Sequence, residues 1–227
     1  VGVAPATSRP YQVALRPFAA AGVDAHAIAS AGADVRLAGG RVVRQTPMSP
    51  GFASFVAALC DRAGWPAMLA TAETIYQRYD GEPPAWAARA PAFMTLVPSL
   101  REAAPRDPLV LLSVVDPADP HLRELAEWDG EANVDSAYSF DGQWMVTATN
   151  AAADKGEALL VLCAALGIRP EDVVAFGDAE VDLPMFAAAG LSVAMGNASD
   201  AVKAQADMVT APVDDEGIAQ AVRKIWG

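Results

Sequence analysis

Two aspartates stand four residues apart directly after a short apolar run that closes on glycine: Val173-Val174-Ala175-Phe176-Gly177-Asp178-Ala179-Glu180-Val181-Asp182. The run is short, apolar and bounded by turn chemistry, so it reads as a buried parallel strand. Ligands of open α/β sheets gather off the carboxyl ends of such strands, which places Asp178 at the mouth of a site. Asp182, near the start of the following helix, can lie on the same side. Two carboxylates converging there suit a hard cation such as Mg2+, which takes oxygen ligands and keeps several waters. A second reading stays open: Asp178 caps a helix and Asp182 complements its dipole.

The elements that must position this pair lie on either side. Upstream, Asp154-Lys155-Gly156-Glu157-Ala158-Leu159-Leu160 places a lysine at the head of a helix running to Leu166. Downstream, Gly190-Leu191-Ser192-Val193-Ala194-Met195-Gly196-Asn197-Ala198 reads as a second short strand closing on Gly-Asn. Near the start, Ala6-Thr7-Ser8-Arg9-Pro10 precedes a helical stretch, and Ile28-Ala29-Ser30-Ala31-Gly32-Ala33 follows it. In this order the segments resemble the Cof-like branch of the haloacid dehalogenase (HAD) superfamily of phosphatases. That branch carries an "ATGRP" segment, an "NGA" segment, a "KG-x-AL" helix, a "GD-x-x-ND" loop and an "AMGNA" strand end.

The resemblance spans residues 1 to about 220 and is weakest in the middle third. It implies a Mg2+-dependent phosphatase acting on a small phosphorylated metabolite, a sugar phosphate among the candidates. A carboxylate nucleophile would take the phosphoryl group and water would release it. Carried over by motif, Thr7 would hydrogen-bond the phosphoryl oxygens, helped by the backbone N–H groups of Ser8 and Arg9. Lys155 would pair with the nucleophile and the phosphoryl charge. Asp178 and Asp182 would hold the metal, and Asn197 would sit beside them. Ordinary roles compete for several of these: an N-cap for Thr7 and a turn residue for Asn197. For Lys155 a solvated helix start is a poor alternative, because a cation opposes the dipole there.

Three departures qualify the resemblance. The family's first motif, a strand ending in Asp-x-Asp-Gly-Thr, occurs nowhere in the 227 residues. It would supply the nucleophile, the general acid/base, a metal ligand and a central strand. Val181 stands where the family loop has asparagine, and Ala31 replaces the asparagine of "NGA". The expectation is that the natural protein begins some way upstream and that the chain by itself is inactive. The alternatives are a non-catalytic binding protein that keeps the pocket, or a phosphatase for sugar-phosphoglycerate or disaccharide phosphates.

Composition sets the frame. Hydrophobic residues make up 53% of the chain, enough for a sizeable core, and net charge is −12 with no basic cluster. Nucleic acid and anionic membranes are therefore not expected partners. No apolar run is long enough to span a bilayer, and the first residues show no signal-peptide pattern. Cys60 and Cys163 fall in apolar helical frames without ligand spacing, which fits free buried thiols and a cytoplasmic setting. His26 and His121 match no catalytic position. Trp65, Trp86, Trp128 and Trp144 are read as packing residues. The expected fold is α/β: a Rossmann-like parallel-sheet core over 1–46 and 150–227, with an α/β cap inserted at 47–149. Strands are expected at 1–6, 25–30, 67–71 and 109–115, hairpins at 33–45 and around Asp141-Gly142, and helices at 51–63 and 119–128. The protein is expected to be a monomer or homodimer.

Overall fold

A computed structural model describes residues 2–79, 81, 91–102, 109–115, 124–125, 131–138 and 144–227. The chain opens with an extended stretch, followed by two short helices, Tyr11–Ala14 and Arg16–Ala20. An antiparallel sheet comes next: β1 (Ala27–Ala29), β2 (Asp34–Arg36) and β3 (Val42–Gln45), in the order β1-β2-β3. The expected hairpin turns at residues 38–40, where Gly39 has a φ of 76°.

The opening segment departs from the expected strand. Only an isolated parallel bridge joins Ala6 to Ile28, although three backbone bonds link the two stretches. Pro5 has no N–H to donate, so a continuous ladder cannot form along residues 3–7. The strand expected at 25–30 is shorter for a different reason. Ser30 and Ala31 adopt φ values of 50° and 54°, which turns the chain out of the sheet.

Ser49 starts the next helix, Pro50–Ala63, by accepting a hydrogen bond from Phe52 N at 3.2 Å, and Gly64 ends it in a left-handed conformation. This capping follows the usual asymmetry of polar N-cap and C-terminal glycine. Then come β4 (Ala67–Thr71), β5 (Ile75–Arg78), β6 (Met94–Val97), β7 (Leu109–Val115), β8 (Ala132–Tyr138) and β9 (Trp144–Asn150). They form a six-stranded sheet in the order β6-β5-β4-β7-β9-β8. Side chains alternate between its faces. Ala67, Leu69 and Ala148 pack with Phe52, Val56, Leu59 and Cys60 of the helix, and Trp65 joins that cluster as a buried packing residue. Met68, Met145 and Thr147 belong to the other face. The loop around Asp141-Gly142, Trp86, His121, Trp128 and most of the helix expected at 119–128 lie outside the described residues.

From residue 153 the pattern is regular. Helix Lys155–Leu166 leads to β10 (Val174–Gly177), helix Leu183–Ala188 to β11 (Leu191–Ala194), helix Asp200–Lys203 to β12 (Met208–Val209), and helix Gly217–Trp226 follows. β10, β11 and β12 are parallel, as the βα spacing requires. Ala158, Leu159, Leu162 and Cys163 pack with Met185, Phe186, Ala194 and Val202, and the cluster extends to Ile28 and Val35 of the first sheet. A smaller cluster, Ala33, Ala70, Ile75 and Ala153, joins the six-stranded sheet to the rest. Both cysteines are free and buried. Among the described residues no helix is long and apolar enough to cross a membrane.

Candidate active site

Off the carboxyl end of β10 lies a cavity of about 670 Å3. Its walls include every residue singled out by motif: Thr7, Ser8, Arg9, Lys155, Asp178, Asp182 and Asn197. Lys155 heads its helix because Asp154 caps it, accepting a hydrogen bond from Glu157 N at 2.8 Å. A buried cation at that end opposes the helix dipole and needs a partner. Asp182 is that partner: Lys155 Nζ donates to Asp182 Oδ1 at 2.5 Å, and both side chains are buried.

Two glycines let the partners approach. A Cβ on Gly156 would stand 2.4 Å from the Pro184 carbonyl oxygen, so the helix head could not rest on the Asp182 turn. A Cβ on Gly177 would stand 2.5 Å from Asp182 Cβ. The glycines thus press the end of β10, the Asp182 turn and the lysine helix into contact. The remaining oxygen, Asp182 Oδ2, accepts from the backbone N–H groups of Asp178 at 3.0 Å and Ala179 at 3.2 Å. This fixes the loop that presents Asp178.

Asp178 itself is exposed, and its Oδ2 accepts from Asn197 Nδ2 at 3.1 Å. Asn197 Oδ1 in turn accepts from Val213 N at 3.1 Å. Asn197 therefore serves as turn residue and site residue together. Thr7 Oγ1 accepts from Arg9 N at 3.2 Å, and the Thr7 carbonyl accepts from Ala31 N at 3.0 Å. The strained Ser30-Ala31 turn thereby buttresses the Thr7 loop.

Lys155 and Thr7 both have partners within the chain. Among the described residues Lys155 is ion-paired with Asp182 and with no other carboxylate. Arg9 N–H is engaged by Thr7 Oγ1, and the N-cap of the short helix is Pro10, so Thr7 is not the cap. His26 is structural as expected: its Nδ1 accepts from Ala38 N at 3.0 Å. Val181 lines the cavity with a hydrocarbon side chain where asparagine would offer an amide.

The fit to Mg2+ rests on few oxygens. Among the described residues no group of three or more His, Cys, Asp or Glu side chains gathers in one place. Asp178 has an oxygen outside its bond to Asn197, whereas both oxygens of Asp182 already accept hydrogen bonds. Such a sparse set is compatible with Mg2+, which is commonly held by one or two carboxylates, substrate phosphate and water.

The far side of the cavity comes from the six-stranded sheet: Met68, Asp135, Met145 and Thr147. No motif pointed to them. The only available signal was strand alternation, which marks a face without saying what it meets.

Comparison with known proteins places this architecture in a class. The chain belongs to the haloacid dehalogenase-like hydrolase family, whose model matches residues 1–222. A phosphoglycolate phosphatase of Methanopyrus kandleri is 51% identical over 72 residues, 32% of this chain and 31% of that protein. Another, from Methanothermobacter thermautotrophicus, is 37% identical over 111 residues, 49% of this chain and 47% of that protein. The chain thus spans less than half the length of these curated relatives. A haloacid dehalogenase-like hydrolase from B. subtilis superposes with a TM-score of 0.80 at 21% identity, covering 98% of this chain and 87% of that one. At that identity the likeness establishes the α/β fold and nothing finer.

Proposed function

We propose that the chain carries the phosphoryl- and metal-binding part of a Mg2+-dependent phosphatase for a small phosphorylated metabolite. The observation that carries this reading is the gathering of Thr7, Lys155, Asp178, Asp182 and Asn197 around one cavity at the end of β10. A volume of about 670 Å3 suits a small molecule. The six-stranded sheet and helix Pro50–Ala63 act as the cap, within the 47–149 segment, and the remainder acts as the core. Asp178 holds the metal, and Asp182 orients both the Asp178 loop and Lys155. When bound, Mg2+ supplies positive charge opposite the phosphoryl oxygens. Thr7 Oγ1 and the Ser8 backbone face the same group, and Lys155 adds a fixed positive charge that needs no rearrangement during reaction.

The nucleophile belongs to a strand outside this chain. Two backbone edges support that placement. Among the described residues the stretch 3–7 pairs only with residues 26–31, and β10 only with β11. Cavity-lining residues come from both, Ala6 and Thr7 from one and Phe176 and Gly177 from the other. A strand between them ending in Asp-x-Asp-Gly-Thr would satisfy both edges and bring a carboxylate to Lys155.

The test compares the 227-residue chain with a form extended by that strand, using p-nitrophenyl phosphate and Mg2+. The extended form should turn over and the shorter one should not. Replacing the first aspartate of the added motif should abolish turnover. Hydrolysis by the 227-residue chain alone would overturn the proposal. Phosphate binding without turnover by the extended form would favour a binding protein instead.

A further inference from the structure

We infer that the six-stranded sheet is held on the core in one fixed orientation by a clamp on the Ala72 carbonyl, with Arg36 and Gln12 as its positioning residues. Ala72 lies in the turn from β4 to β5, far in sequence from the linkers that join the sheet to the core. Arg36 Nη2 donates to its carbonyl at 2.5 Å, and Gln12 Nε2 donates to the same oxygen at 2.8 Å. Arg36 comes from β2 and Gln12 from helix Tyr11–Ala14, so two separate core elements converge on one atom of the sheet. Beside them Ala70 and Ile75, which flank the turn, pack with Ala33 of the core.

Both sides of the clamp are fixed in advance. Arg36 Nε lies 3.0 Å from each Asp34 oxygen, and the two side chains are only 3% and 1% exposed. A planar guanidinium can hold a carboxylate and a carbonyl at once, so Asp34 aims the donor at Ala72. The guanidinium also stands 4.1 Å from the centre of the Tyr11 ring, a cation–π contact. Across the gap, Thr71 Oγ1 accepts from the backbone N–H groups of Glu73 at 3.3 Å and Thr74 at 3.0 Å. These bonds shape the turn that presents Ala72. The linkers lie side by side, tied by Asn150 Nδ2 donating to the Pro47 carbonyl at 2.7 Å. A sheet attached only there could swing about that point. A third attachment, buried and charge-assisted, removes the freedom. The clamp concerns the frame of the cavity and holds whether or not the site hydrolyses phosphate.

The experiment is double electron–electron resonance on the 227-residue chain, with nitroxides on Ser54→Cys in helix Pro50–Ala63 and Ala164→Cys in helix Lys155–Leu166. Both sites are exposed, whereas the native Cys60 and Cys163 are buried and stay unlabelled. The parent should give a single narrow distance distribution. Gln12→Leu removes one donor and should broaden it. The double variant Asp34→Asn with Arg36→Met removes the other donor without stranding a buried charge, and should broaden it further or add a longer distance. Glu73→Ala should change nothing, because Glu73 is exposed and 3.6 Å from Arg36. Circular dichroism matching the parent separates a loosened orientation from unfolding. Should the double variant not fold, Gln12→Leu alone decides. Two distances in the parent would show a sheet that swings, and narrow distributions in the folded variants would show that the linkers alone hold it. Either result overturns the clamp.

Discussion

The floor and the far wall of the cavity are built on different principles. The floor, from Lys155 to Asn197, is local: successive βα units bring each functional side chain to a strand end or helix start close in sequence. Contacts there are backbone-tight, with Gly156 against the Pro184 carbonyl and Gly177 against Asp182 Cβ. The far wall is assembled from strands widely separated in sequence, with Met68 on β4 and Asp135 and Thr147 on β8 and β9. Its side chains are half-buried. A floor of this kind tolerates little change, whereas a wall of this kind can vary its side chains without disturbing the fold. On the proposed reading, the residues assigned to phosphate and metal occupy the rigid part.

The sharpest way to break this contrast is to remove the carboxylate at the centre of the floor. Asp182→Ala leaves Lys155 buried without its partner and frees two backbone N–H groups. Unpairing a buried ion pair costs about 3–5 kcal/mol. Equilibrium urea denaturation should show a loss of that size. A loss below about 1 kcal/mol, typical of exposed pairs, would show that the floor is not rigid. Gly156→Ala comes next. Its added methyl meets a carbonyl oxygen rather than a flexible side chain, so a destabilisation of about 2–3 kcal/mol is expected.

The same division explains what could be read from the chain beforehand. Gly177-Asp178 and Asp154-Lys155-Gly156 were legible because tight backbone approach restricts the residue types that fit, leaving a pattern in the sequence. The pairing of Lys155 with Asp182 was not legible. It depends on which carboxylate reaches the amine in three dimensions, and both aspartates satisfy the spacing equally. The position of Asp135 and Thr147 on the cavity wall was hidden for a related reason. Strand alternation gives a face, but the six-stranded order β6-β5-β4-β7-β9-β8 decides what that face meets. The helix Pro50–Ala63 was found to within one residue because its start and stop signals, Ser49 and Gly64, are local.

In helix Pro50–Ala63, Asp61 tests whether the structure behind the far wall is also sensitive. Its carboxylate accepts from Ser99 Oγ at 2.7 Å, Leu100 N at 2.9 Å and Arg101 N at 3.0 Å, and Arg78 Nε lies 3.2 Å away. Burial pushes its pKa up, but the Ser99 and backbone hydrogen bonds and the Arg78 charge outweigh that and hold it below the ordinary value. A folded-state pKa below the unfolded one stabilises the protein above the unfolded value and loses that stabilisation as pH falls through the folded value. Asp61→Asn should therefore cost about 1–2 kcal/mol at neutral pH. Parent and variant should converge below about pH 4, as denaturation midpoints across pH would show. A constant gap down to strongly acidic pH would mean that the carboxylate charge is not what matters.

The smallest effect sharpens the comparison from the opposite direction, because it should stabilise. Ala31 has a φ of 54°, in the left-handed region that costs a non-glycine residue about 1–2 kcal/mol. The turn is held because Ala31 N donates to the Thr7 carbonyl and Ser30 N to the Arg9 carbonyl, at 3.0 and 2.9 Å. These bonds position the Thr7 loop at the cavity. Strain retained next to a site suggests that the bonds, and not the residue's own preference, determine the conformation. Ala31→Gly removes the steric penalty but loosens the unfolded chain, so the two effects partly cancel. A net gain of about 0.5 kcal/mol is expected in urea denaturation, with inorganic phosphate affinity unchanged. A loss of stability would show that Ala31 is not strained in the folded protein. A gain accompanied by weaker phosphate binding would show that the alanine methyl helps to hold the Thr7 loop, making the turn part of the rigid floor.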